Sequence, residues 1–155
     1  MVGVISVRAM QPDDWALLRE LRLRSLQLAP EAFGSTYAAE ADLDEATWRE
    51  RTSRTAVATR DGEPVGMVAA APDGDGLGLF AMWVEPDHRG TGAADALVEW
   101  VIDHAAGLPV HLGVAEGNNT ALALYQRHGF RPTGESEALR SAPDRCLHRL
   151  TRRPV

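Results

Sequence analysis

The apolar positions of this chain repeat with two periods, and the places where the period changes mark its elements. Val4 to Met10 alternate and favour β-branched types, which predicts a first strand that ends before Pro12. Pro12, Asp13 and Asp14 then open a helix, with proline in the first turn and acids at the positive end of the dipole. Trp15, Leu18, Leu21 and Leu28 fall near helical spacing with Leu17 beside them, and Pro30 stops the helix. Asp42 followed by Glu45 makes a capping box for a short helix through Trp48 to Thr52. Thr55 to Arg60, Pro64 to Ala71 and Leu77 to Val84 read as three strands. The turns Asp61-Gly62 and Pro72 to Gly76 join them into an antiparallel meander.

Past Val84 the period becomes helical again. Ala93, Ala96, Leu97, Trp100, Val101 and His104 form one stripe, ended by Gly107, and Val110 to Val114 is a fifth strand. A helical crossover makes that strand a parallel neighbour of the fourth. Asn118 or Asn119 begins another helix, which carries Leu122, Leu124 and Tyr125 and stops at Gly129. Phe130 to Glu137 and Arg145 to Leu150 read as a last pair of strands, connected through Ser141-Ala142-Pro143-Asp144. No repeat or linker interrupts this order, so the expectation is one mixed α+β unit over residues 1–155.

Composition narrows the partners. The chain is 45% apolar, enough for one proper core, and its net charge of −6 argues against nucleic acid as the main partner. All 16 basic residues are arginine, so no lysine side chain exists for the protein to acylate on itself. A single cysteine, Cys146, excludes an internal disulfide and fits a reducing compartment. The first residues lack the order of a signal peptide and no apolar run approaches a membrane span. The chain therefore reads as cytoplasmic, without a membrane partner.

Two stretches carry chemistry. The first is Met82-Trp83-Val84-Glu85-Pro86-Asp87-His88-Arg89-Gly90-Thr91-Gly92-Ala93-Ala94, a strand that runs through proline into a glycine-rich turn and a helix. Gly90 and Gly92 permit a tight bend and close approach. The N–H groups at the helix start favour an anion there, and Arg89 adds a fixed positive charge. No Lys-Ser or Lys-Thr follows, as a nucleotide P-loop would need, and the third small residue comes too early for a dinucleotide fold. The second stretch is Val114-Ala115-Glu116-Gly117-Asn118-Asn119-Thr120-Ala121-Leu122-Ala123-Leu124-Tyr125-Gln126-Arg127-His128-Gly129-Phe130.

Together these resemble the GNAT superfamily of N-acetyltransferases, whose signature is Val-x-Pro, then Arg/Gln-x-x-Gly-x-Gly/Ala, and later Asn-x-x-Ala with a helix ending Tyr-x-x-x-Gly-Phe. The resemblance implies a mixed, mostly antiparallel sheet of about seven strands with helices on both faces and a splay between strands four and five. It also implies acetyl-CoA as donor. The amides of Gly90, Thr91, Gly92, Ala93 and Ala94, with Arg89, would then cradle its diphosphate. Met82, Trp83 and Val84 would pair with the pantetheine, Asn118 would bind or orient it, and Tyr125 would be the general acid. Phe33, Ser35 and Tyr37 lie where the family places the acceptor.

Acetyl transfer needs a neutral amine although alkyl amines titrate near ~10.4, and a proton for a thiolate whose reference value is near ~8.5. The base is left open by the sequence. Leu77 to Val84 contains no titratable side chain, so Glu85, His111, Glu116 or a chain of waters remains. The expected activity is transfer to a primary amine of a small molecule, peptide or protein in a ternary complex, by a monomer or homodimer. A CoA-binding module without efficient catalysis, and transfer of a longer acyl group or to an alcohol, are the alternatives.

Overall fold

The computed structural model describes residues 3–30, 35–139 and 142–154. The chain forms β1 (Ile5–Ala9), a 3₁₀ turn (Pro12–Asp14), α1 (Trp15–Leu28), α2 (Tyr37–Ala41), α3 (Glu45–Thr52), β2 (Thr55–Arg60), β3 (Glu63–Asp73) and β4 (Gly76–Val84). A second 3₁₀ turn (Pro86–His88) leads to α4 (Ala93–His104), β5 (Val110–Ala115), α5 (Asn119–Arg127), β6 (Arg131–Leu139) and β7 (Ala142–Arg152). The expected elements are present, α2 adds a short helix where the sequence shows no period, and four details differ. Asp44 rather than Asp42 caps α3, accepting from Thr47 N at 2.9 Å, because Asp42 is already the C-cap of α2. Leu28 overhangs the core in the last turn of α1 and is 54% exposed, while Leu18, Leu21, Leu23 and Leu26 are buried. The turn expected from Pro72 is shorter, since β3 runs on to Asp73. The last two strands stay paired as far as Leu139 and Ala142, so Ala142 to Asp144 belong to β7 rather than to a connection.

The strands make one sheet in the order β1-β2-β3-β4-β5-β7-β6, antiparallel except between β4 and β5. Asp61 (φ 52) and Gly62 (φ 85), both left-handed, close the β2–β3 hairpin with the twist that two-residue turns require. One face of the sheet packs Ala56, Val68, Val110, Leu112 and Val114 against Leu97, Val98 and Val101 of α4 and Leu124 of α5. The other packs Val57, Met67 and Trp83 against α1 and against Trp48 of α3. Each such fully buried large side chain contributes about 2 kcal/mol of transfer free energy.

Two irregularities in β4 shape the functional region. Met67 faces Trp83 and Ala69 faces Phe80, so three steps on β4 oppose two on β3. The extra residue is a bulge, with Ala81 at φ 53. On its other edge β4 pairs with β5 only at Leu77–Val110 and Gly78–His111, after which the two strands part.

A buried ionic node ties α1, α2 and α3 together. Glu40, 4% exposed, takes Arg22 Nε and Nη2 at 3.0 Å each and Arg51 Nη1 at 2.8 Å. Burial alone would raise its pKa, but hydrogen bonds from Arg22, Ser35 and Arg51 outweigh it and hold the carboxyl at about 2 instead of 4.5. A depressed folded-state pKa gives stability that is complete above the unfolded value and is lost as pH falls through the folded one. The thermal midpoint of the parent should therefore drop between pH 4.5 and about 2. Glu40→Gln should flatten that limb and cost about 3 kcal/mol in urea unfolding at neutral pH.

Candidate active site

Where β4 and β5 part, the sheet opens into two cavities that share Met82, Ala115, Asn118, Ala121 and Leu124. The larger, 760 Å³, runs along Met82, Trp83 and Val84 to Arg89, Gly90, Gly92 and Ala94. Gly92 (φ 95) is the N-cap of α4 and offers no side-chain acceptor, and Gly90 is also left-handed (φ 76). A Cβ at either glycine would meet no neighbour, so backbone conformation rather than crowding demands glycine. The first-turn N–H groups of α4 are thus left for an external anion. Arg89 Nε donates to Val84 O at 3.1 Å, which holds its guanidinium beside the loop.

Eight of the ten residues expected at the donor site line this cavity. Thr91 does not: its hydroxyl donates to His88 O at 2.6 Å and closes the turn from inside. Ala93 does not either, being packed into the core at 1% exposure. Arg127 and Arg145 also line it and were not anticipated. They come from the end of α5 and from β7, so only the folded topology brings them to the glycine loop. Asp95, the cavity's one acid among the described residues, bonds Arg127 at 2.9 Å and His128 at 2.7 Å. Burial opposes ionisation there, but those two partners lower its pKa overall, so it is charged and locally neutralised. Three guanidinium groups against one compensated carboxylate suit a polyanion in a protein that is acidic overall.

The second cavity, 490 Å³, lies on the α1 side of the gap and reaches through it to Tyr125. Tyr125 is 6% exposed, and burial pushes its phenol pKa up, so the hydroxyl stays protonated. Its ring meets Phe130 edge-on with centroids 5.7 Å apart, and no described group hydrogen-bonds its hydroxyl. Asn118 caps α5, accepting from Ala121 N at 3.2 Å, and borders both cavities.

The open question of the base is narrowed. Glu85 is clamped by Arg24 through two 2.8 Å bonds and borders a different hollow. Glu116 is exposed past the end of β5, with Arg145 on its carbonyl, and lines neither cavity. His111 does wall the second cavity, with Nδ1 2.8 Å from Thr151 Oγ1 and Nε2 2.7 Å from Asp75 Oδ1. Ser35 also lines it, whereas Tyr37 is 40% exposed at the start of α2 and does not. Phe33 lies outside the described residues. The wall further includes Asp73 paired with Arg149 at 3.2 Å, and Glu137. No spacing along the chain signals these, because β7 inserts between β5 and β6.

The model of the acetyltransferase (GNAT) family matches residues 15–130. The chain belongs to this family. Membership makes it an acyltransferase with acetyl-CoA as donor, and the first cavity, with its open helix N-terminus and arginines, fits that donor's charge. The chain is similar to the peptidyl-lysine N-acetyltransferase YjaB of Escherichia coli, 31% identical over 86% of this chain and 87% of that protein. It is also similar to human N-acetyltransferase 8, 36% identical over 61% of this chain and 46% of that one. Among solved structures, a GCN5-related N-acetyltransferase from Kribbella flavida superposes with a TM-score of 0.77 at 24% identity, covering 97% and 98% of the two chains. The yncA acetyltransferase of Salmonella typhimurium, solved with acetyl-CoA, gives 0.77 at 17% over 97% and 94%. The splayed sheet is therefore the family's fold. No described helix is long and apolar enough to cross a membrane.

At the family's glycine loop, Gly92→Ala forces a Cβ into a left-handed position, at a cost of about 1 kcal/mol in folding. Calorimetry should find CoA affinity lowered about tenfold or more, as the helix N-terminus is displaced.

Proposed function

We propose that this chain moves the acetyl group of acetyl-CoA to a primary amine of a small molecule, peptide or protein, by direct attack with both substrates bound. It would act as one domain spanning residues 1–155, in the cytoplasm. The observation that carries this reading is the meeting of an anion-binding cavity and a second open cavity at the β4–β5 gap, with a protonated tyrosine on the wall. The relation to a peptidyl-lysine acetyltransferase supports an amine acceptor.

Bound acetyl-CoA supplies the acetyl group as a thioester. The amides of Gly90 to Ala94 and the guanidinium of Arg89 bind its diphosphate. The unpaired edge of β4 around Met82 offers backbone donors that orient the extended arm and polarise the reacting carbonyl. Asn118 fixes the start of α5 and so the placing of Tyr125. Tyr125 holds at its phenolic oxygen the proton that the departing sulfur takes, and recovers one from solvent afterwards. The acceptor ammonium first gives its proton to water in the cleft, beside His111, whose two ring nitrogens are engaged by Thr151 and Asp75.

Tyr125→Phe keeps the ring and removes the proton. Thiol release should fall about 10²- to 10⁴-fold in kcat, with CoA affinity by calorimetry unchanged. Full activity of that variant would remove Tyr125 from the reaction. Tight CoA binding by the parent without turnover on any amine would leave only a binding module.

A further inference from the structure

A third, smaller cavity of 140 Å³ adjoins the acceptor side, sharing Arg22, Phe80 and Ala81 with it. Its remaining wall comes from α1, α2, α3, the turn into β2 and the middle of β3, and includes Leu18, Glu40, Trp48, Arg51, Arg54 and Met67. We propose that this cavity binds the carboxylate of a small amino carboxylate, of the free amino acid type, whose amine then lies in the adjoining cleft. The inference rests on the acetyltransfer reading and specifies its acceptor.

Two observations carry it. The described residues of the wall place three guanidinium groups, those of Arg22, Arg51 and Arg54, against one carboxylate, Glu40. Glu40 already receives Arg22 and Arg51, whereas Arg54 has no acid partner among the described residues and lies over the Phe80 ring at 5.6 Å, at the junction of the two cavities. Trp48 is 0% exposed, and its indole Nε1–H has no hydrogen-bond acceptor among the described residues. That atom is closed to solvent, with the Arg51 guanidinium 5.1 Å over the ring, so the wall's complementarity to an anionic acceptor atom rests on its excess positive charge.

Size and surroundings fit the same occupant. The volume holds about five groups of water's size, at about 30 Å³ each, enough for a carboxylate and a short carbon stem. Met67, Leu18 and the exposed face of Phe80, 41% accessible, take the stem. Ala81, the bulge residue of β4, borders both cavities, so an anion in the smaller one sits one short stem away from the edge of β4 where the acceptor amine is used. A second ammonium, as in a diamine, would face three guanidinium groups against a single carboxylate that two of them already occupy.

The test uses the full chain saturated with CoA. Calorimetry compares amino acids with the amines left by removing their carboxylate, in matched pairs such as leucine with isopentylamine and lysine with 1,5-diaminopentane. The same pairs are assayed for acetylation with acetyl-CoA. The carboxylate-bearing member should bind at least about tenfold more tightly in the best pairs, the usual scale for a charge-assisted contact. Arg54→Gln, an exposed position, should remove most of that advantage, raising KM more than it lowers kcat, with CoA affinity and the binding of the decarboxylated amine unchanged.

Equal affinities within every pair, or an advantage untouched by Arg54→Gln, overturns the proposal. If both members of the pairs are acetylated equally well, acetyltransfer stands and the carboxylate site fails. If the carboxylate-bearing members bind with the expected advantage but none is acetylated, the site stands and the acetyltransfer reading fails.

Discussion

The site depends on a pairing that stops. β4 and β5 share only two residue pairs before they separate, and Met82, Asn118, Tyr125, His111 and the glycines at the head of α4 line the two cavities that open there. Parallel strands in a sheet normally satisfy one another's main-chain groups along their whole length, and unmatched groups in the interior are expensive. Here the β5-facing edge of β4 is left without a strand partner beyond Gly78. The bulge at Ala81 belongs to the same device, since an added residue on β4 re-aims the strand where the gap begins. Stability for this open seam comes from both sides, with α4 and α5 packed on one face and α1 and α3 on the other.

Charge is distributed to serve three different tasks. The molecule is acidic overall, yet each described cavity at the seam has its own local balance. Beside the glycine loop, Asp95 is compensated by Arg127 and His128, so the acid in the first turn of α4 is locally neutralised. On the other side of the sheet, Glu40 draws together arginines from α1 and α3 that would repel each other without it. Net charge therefore indicates which large partners are unsuitable, and says nothing about what a pocket takes.

Most of the architecture was legible because the local signals agree with the global fold. The Asp61-Gly62 turn, the crossover that makes β5 parallel to β4, and the two glycines at the head of α4 each follow from residue chemistry that tertiary contacts do not override. The errors have equally local causes. Two acids compete to cap α3, and the nearer one wins because the other already ends α2. Thr91 and Ala93 turn their side chains inward, since consecutive side chains around a helix start cannot all face one way, and they belong to the loop through their main chain alone. Arg145, Arg149 and Asp73 were not legible at all. Their place in the site follows from strand order, and no spacing along a chain encodes that β7 lies between β5 and β6.

That strand order also bears on how the protein comes into being. β7 is the seventh strand to be synthesised, yet it occupies an interior position of the sheet and carries part of both cavity walls. On the ribosome, β5 must wait with an uncovered edge while α5, β6 and the hairpin emerge. Neither substrate can meet a finished enclosure until translation has passed Arg152. The last strand to be made is thus also the one that completes both walls.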